Sequence, residues 1–182
     1  MRRAMNNRPG EPAESRRAED FERFETDRPL AVLLIGGESD LGLRSFRLFE
    51  ENYRETYDQI LFVSVGESDP FVPRRARDRG ESEERELLQK ISASLDPYVA
   101  EAHALGMMAA TRIDISPDPI QALDALGTVI MKQYPKSVFF LSKLAFKEPR
   151  WFQPLLFGES AEEIRKRLRA KGCQVIVLPV VI

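Results

Sequence analysis

Five short apolar runs, each separated from the next by a segment with helical spacing, constrain this chain more than any other feature of its sequence. The runs are Leu30–Ile35 (LAVLLI), Gln59–Val65 (QILFVSV), Met107–Ile113 (MMAATRI), Ser137–Leu141 (SVFFL) and Val175–Val181 (VIVLPVV). Between them, Leu41–Tyr53 repeats apolar residues at helical intervals. Ser82–Leu105 turns Leu87, Leu88, Ile91, Leu95, Tyr98, Val99 and Ala102 to one side, and Pro117–Gln133 does the same with Ile120, Leu123, Leu126, Val129 and Ile130. Ser160–Lys171 reads as a last helix. Gly106 predicts the stop of the long helix, and Asp96-Pro97 predicts a kink within it. Pro119 falls in a first helical turn, where its missing N–H is harmless. Strands apolar on both faces belong to a parallel sheet covered on both sides. The pattern predicts a doubly wound α/β domain with a five-stranded parallel sheet. In such sheets ligands sit beyond the C-terminal strand ends, at the switch in strand order. That nominates residues 36–42, 64–70, 114–118 and 142–160.

Composition narrows the function classes. At 182 residues and a formal net charge of −2, the chain is one ordinary domain with no global field for nucleic acid. A single cysteine and a single histidine exclude a disulfide framework and a Cys/His metal cluster. No apolar stretch approaches the roughly 20 residues that span a bilayer, and the basic start lacks the apolar core of a signal peptide. The expectation is a cytoplasmic protein without a membrane span. Residues 1–28 hold seven Arg, seven acids and no Lys, with almost no aliphatic side chains. They read as a disordered charged arm or linker; the alternative is an arm that docks on a partner or on its own domain, with Phe21 and Phe24 on one side of a short helix.

The stretch GGESDLG after the first strand raises the question of a phosphate loop. Gly37 and Gly42 have Walker spacing, but Leu43 and Arg44 stand where Lys and Ser or Thr are needed. Neither a dinucleotide fingerprint nor a nucleophile elbow is present, and Glu38 and Asp40 repel phosphate. Gly36-Gly37 therefore read as a tight turn, and Ser39 or Asp40 as a helix cap. A carboxylate there can still accept from a base or ribose hydroxyl.

The connection after the fourth strand is long and apolar. Trp151, Phe152, Leu155, Leu156 and Phe157 crowd it beside Lys143, Lys147 and Arg150. Folding back on the core and docking on a partner are both open. Ser160-x-x-Glu163 reads as a capping box; the functional alternative is a phosphate held by Gly158, Ser160 and free helix N–H groups. Arg74, Arg75, Arg77 and Arg79 stand among acids in a solvated loop that runs into a helix start; the alternative is a basic cluster facing lipid headgroups or nucleotide phosphate. His103 and Cys173 read as structural, and Asp114 and Asp118 as caps. The ending VIVLPVVI is uncharged and rich in β-formers. An open edge of that kind invites pairing, which favours a homodimer through Val175, Val177, Pro179 and Val181. No nucleophile–base pair, metal set or intact phosphate loop is legible, so the expectation is a non-enzymatic domain with no catalytic residues.

The strand QILFVSVGESD, the segment SVFFLSKLAFKEPRWFQPLLFGESAEEIRKRL and the ending GCQVIVLPVVI resemble the cytoplasmic C-terminal domain of bacterial amino-acid/polyamine/organocation-type permeases, itself similar to universal stress proteins. The resemblance spans residues 29–182 and is most specific in the C-terminal quarter. It implies strand order 3-2-1-4-5, pairing of two domains through the final strand, and a regulatory role beside a transporter. It also implies an adenine nucleotide as ligand: ATP, AMP or cyclic di-AMP. ATP-binding universal stress proteins carry G-x2-G-x9-G-[ST] after strand four. Here Ser142 and Lys143 stand where its first glycine belongs, and only Gly158-Glu159-Ser160 echoes its end. The ligand residues the resemblance nominates are therefore Gly36, Gly37, Glu38, Ser39, Ser64, Gly66, Ser142 and Lys143, with Gly158 and Ser160.

Overall fold

In the computed structural model, residues 24–36, 40–68, 77–144 and 159–180 are described. Five strands form one parallel sheet: β1 (Leu30–Leu34), β2 (Gln59–Glu67), β3 (Met108–Ser116), β4 (Ser137–Leu144) and β5 (Gln174–Val180). Four helices accompany them: α1 (Asp40–Tyr53), α2 (Arg77–Ala104), α3 (Pro119–Gln133) and α4 (Glu159–Ala170). The sheet order is β3-β2-β1-β4-β5, the order the resemblance implies.

Both faces of the sheet are covered. Every residue of β1 is buried, as continuous apolar strands in parallel sheets are. Val32, Leu34, Leu61, Val63, Phe139 and Leu141 pack under α3 and α4 with Leu123, Ile130, Ile164 and Leu168. Ala31, Leu33, Phe62 and Phe140 face α1 and α2, where Phe46, Phe49, Leu95 and Tyr98 meet them. The rings on that side interlock edge to face: Phe140 lies 5.0 Å from Phe49 and Phe46 lies 5.4 Å from Phe62. Aromatic pairs in this geometry stabilise beyond their area burial.

Helix ends follow local chemistry. Asp118 caps α3, its side chain accepting from the Gln121 N–H, with Pro119 in the first turn. Gly106 and Gly172 take positive φ, +80° and +86°, just after α2 and α4. Pro97 lies inside α2, which runs on through it to Ala104.

Several expectations are corrected. β2, β3 and β4 run past the apolar residues that announced them, because a ladder needs only backbone partners; β2 and β3 stay in register to Glu67↔Ser116. α2 begins at Arg77 rather than Ser82. α4 begins at Glu159, one residue before the expected cap Ser160, and the Glu163 carboxylate holds Arg167 at 2.6 Å. The boundary placed after residue 28 falls within the packed unit. Phe24 is 5% exposed and belongs to the core beneath α3.

Candidate functional site

Strand β1 is shorter than its neighbours at the C-terminal end of the sheet. Its ladder with β4 stops at Leu33↔Phe140. β4 continues through Leu141–Leu144, paired only with β5 as far as Val180. On the other side β1 follows β2 to Leu34↔Val63, and the Ile35 N–H donates to the Val63 carbonyl at 2.8 Å. β2 and β3 then run on together to Glu67 and Ser116. Three or four residues of strand on each side stand past the end of β1. At about 3.3 Å per residue they flank a notch about 10 Å deep. This is the switch point of the strand order, where chain connections leave in opposite directions.

The fold brings Gly36, Ser64, Gly66, Ser142 and Lys143 to this end of the sheet. Gly36 follows β1 and is half-buried. Ser64 is buried and points to the α1/α2 side, like Phe62 two residues earlier. Gly66 shares that side and serves packing: a Cβ there would lie 2.7 Å from Ile91 Cδ1 and 3.1 Å from Leu87 Cδ2. Ser142 is buried, and its hydroxyl donates to the Ser45 hydroxyl of α1. Lys143 pairs with Pro179 of β5 in register. Ser160 belongs to the first turn of α4. Gly37, Glu38, Ser39 and Gly158 lie outside the described residues, as do Trp151, Phe152, Leu155, Leu156, Phe157 and Val181. Of the remaining interface candidates, Val175 is buried, Val177 half-buried and Pro179 exposed on the edge strand β5.

Glu67, Arg112 and Asp114 bring exposed charge to the C-terminal ends of β2 and β3. Asp114 accepts from the Ile115 N–H at 2.9 Å, and Ser116 Oγ accepts from the Asp118 N–H at 3.1 Å. These bonds shape the turn into α3. Among the described residues no three His, Cys, Asp or Glu side chains gather as metal ligands, and no helix is long and apolar enough to cross a membrane. The His103 ring lies 3.3 Å from the Ala109 carbonyl, and Cys173 Sγ lies 3.6 Å from Met131 Sδ. Burial pushes the Cys173 thiol pKa up; the Lys171 charge lowers it by less, and the Asp124 charge adds to the rise.

Two residues of this region escaped sequence reasoning. Gly42 and Ser45 lie on the buried stripe of α1 with Phe46 and Phe49. A Cβ on Gly42 would lie 2.1 Å from the Tyr98 hydroxyl oxygen. Gly42 is thus a site of close helix contact, which also disposes of its Walker spacing. The spacing 42, 45, 46, 49 was the available signal: a glycine and a serine at inward helical positions mark close approach and an internal hydrogen bond.

No family model matches the chain, and no curated protein matches it. Solved structures do. Universal stress protein UspA from Lactobacillus plantarum aligns at 14% identity over 83% of this chain and 98% of that one, with a TM-score of 0.54. The hypothetical protein MJ0577 aligns at 12% identity over 84% and 96%, with a TM-score of 0.52. A universal stress protein family protein from Arabidopsis thaliana, solved with AMP bound, aligns at 17% identity over 83% and 91%, with a TM-score of 0.49. At such identities the likeness is one of fold: this chain carries the five-stranded α/β fold of universal stress proteins.

Proposed function

We propose that this chain is a non-enzymatic regulatory domain that holds an adenine nucleotide in the notch beyond β1, pairs with a second copy through β5, and serves a membrane transporter from the cytoplasm. The observation that carries the ligand is the early end of the β1–β4 ladder. It leaves β2 and β4 standing past β1 at the place where open α/β sheets take ligands. The choice of an adenine nucleotide, and the link to a transporter, rest on the sequence resemblance of the strand-two and C-terminal segments to permease domains. Pairing through β5 is supported by the contrast between the two sheet edges. β3 carries Arg112 and Asp114, the charges that protect an edge, whereas Gln174–Val180 has none. Ligand would act by differential affinity for two states of the pair.

Thermal unfolding with ATP, AMP and cyclic di-AMP at fixed protein concentration tests the reading. A ligand specific for the folded state, present at about 100 times its Kd, adds about 2.7 kcal/mol, a rise of a few degrees in Tm. A rise with one nucleotide supports the sensor; none with any of the three removes it.

A second reading is favoured by a specific observation. Gly66 is filled by α2, and Ser142 is engaged with Ser45. If the notch is only a packed strand end, the chain is a ligand-free interaction module, and the apolar stretch 147–157 is its contact segment.

A further inference from the structure

The N-terminal end of the sheet, opposite the notch, carries a segment that the five strands and four helices do not require. Phe24 inserts beneath α3 with its ring edge-on to Tyr134, centroids 6.0 Å apart. The next residue is held by a side chain. The Glu25 N–H donates to Gln59 Oε1 at 2.6 Å, and Gln59 Nε2 donates to the Glu25 carbonyl at 3.1 Å. Gln59 is fully buried. Its amide thus reads one peptide unit as a neighbouring strand would, and among the described residues its side chain makes these two hydrogen bonds alone. Arg28 closes the segment on Asp58 and Glu25, and Lys136 Nζ donates to the Asp27 carbonyl.

We propose that Phe24–Arg28 is a releasable strap. Docked, it floors the core under α3; released, it leaves the Gln59 amide without its partners and the Phe24 seat open. The receiving surface is specific, because a buried amide strongly prefers its hydrogen bonds made. The docking is nevertheless near balance. One buried ring and one pair of hydrogen bonds must offset the ordering of five residues. The ion pairs add little, since the Arg28 and Asp58 side chains are about half exposed, 49% and 50%. A segment so balanced couples the chain before residue 24 to the ends of β2 and β4, whatever the notch binds.

Hydrogen exchange on the full chain tests this. The Glu25 amide is expected to be protected at least tenfold, yet to exchange faster than Leu33 in β1 and through an opening that leaves Leu33 closed. Phe24→Ala is expected to remove that protection with Leu33 unchanged, and to speed trypsin cleavage of the Arg23–Phe24 bond by the same factor. Phe24→Leu retains most of it. Two results overturn the proposal: Glu25 and Leu33 exchanging together through one global opening, or Glu25 unprotected in the native chain.

Discussion

The Ser142 hydroxyl, at the end of β4, donates to the Ser45 hydroxyl on the inner face of α1, with both side chains buried. This pair fastens the first helix after β1 to the strand across the switch point. It engages the Ser142 hydroxyl within the fold. Ser142→Ala is therefore expected to cost about 1 kcal/mol by chemical denaturation. The double variant with Ser45→Ala should cost less than the sum of the two single changes, because neither hydroxyl is then left without the other. Any nucleotide-induced rise in Tm should survive in Ser142→Ala. A variant of native stability that has lost the rise would place Ser142 in contact with ligand instead.

Glycines at helix contacts should respond differently from the glycine that ends α2. At Gly42 a Cβ meets the Tyr98 hydroxyl at 2.1 Å, and at Gly127 it meets Leu168 Cδ2 at 2.4 Å. Alanine at either position overpacks a core and should cost about 1–3 kcal/mol. Tyr98→Phe should recover part of the loss in Gly42→Ala and none in Gly127→Ala. At Gly106 nothing lies within 4 Å and only the positive φ opposes a side chain, so alanine should cost about 1–2 kcal/mol. Denaturant midpoints of the three alanine variants and the two Tyr98→Phe double variants decide the order.

Alkaline pH should weaken the fold through two buried acids. Burial raises the Cys173 thiol from its ordinary 9.0, and burial followed by repulsion from Tyr53 raises the Tyr57 phenol from 10.0. In both cases the folded chain holds its proton more firmly than the unfolded chain does. Their contribution to stability is complete below the ordinary values and is lost as pH rises through the raised ones. Cys173→Ala should flatten the decline that begins near pH 9, and Tyr57→Phe the part that begins near pH 10. Stability–pH curves that keep the native slope in both variants would reject this assignment.

The strands were legible because parallel strands buried on both faces leave continuous apolar runs, as in Leu30–Leu34. Their order came through the resemblance, not from any property of the runs themselves. Strand ends were less legible: Glu67 and Ser116 are polar, and only their ladder partners keep them in the sheet. Docking of Phe24 on its own domain stood only as the alternative to a disordered arm, because a single phenylalanine in a run of charges carries little pattern. The strap's receptor, Gln59, was visible as a polar residue at the head of an apolar strand. At the notch, topology nominated the C-terminal end of the sheet, and the fold does bring Gly36, Ser64, Gly66, Ser142 and Lys143 there. Which residues are already used for packing could not be read locally. Gly66 depends on Ile91 and Leu87, and Ser142 depends on Ser45, all far away in sequence.

The edge strand β5 supplies the last prediction. Val177 is half-buried and Pro179 exposed in an uncharged strand that, among the described residues, pairs only with β4. Proline is tolerated in a sheet at such an edge, where its missing N–H breaks no inner ladder. A second copy laid along β5 would cover Val177 and Pro179 and remove the open edge. Pro179→Lys places a charge at an exposed position, so its effect on the isolated fold should stay within about 0.5 kcal/mol. Sedimentation velocity should then show a species of twice the chain mass for the native protein and one of single mass for the variant. If the native protein sediments at single mass throughout the micromolar range, pairing through β5 is excluded there, and the uncharged edge needs another cover. If both proteins sediment at twice the mass, the copies meet elsewhere, and the exposed stretch of β5 is free of that contact.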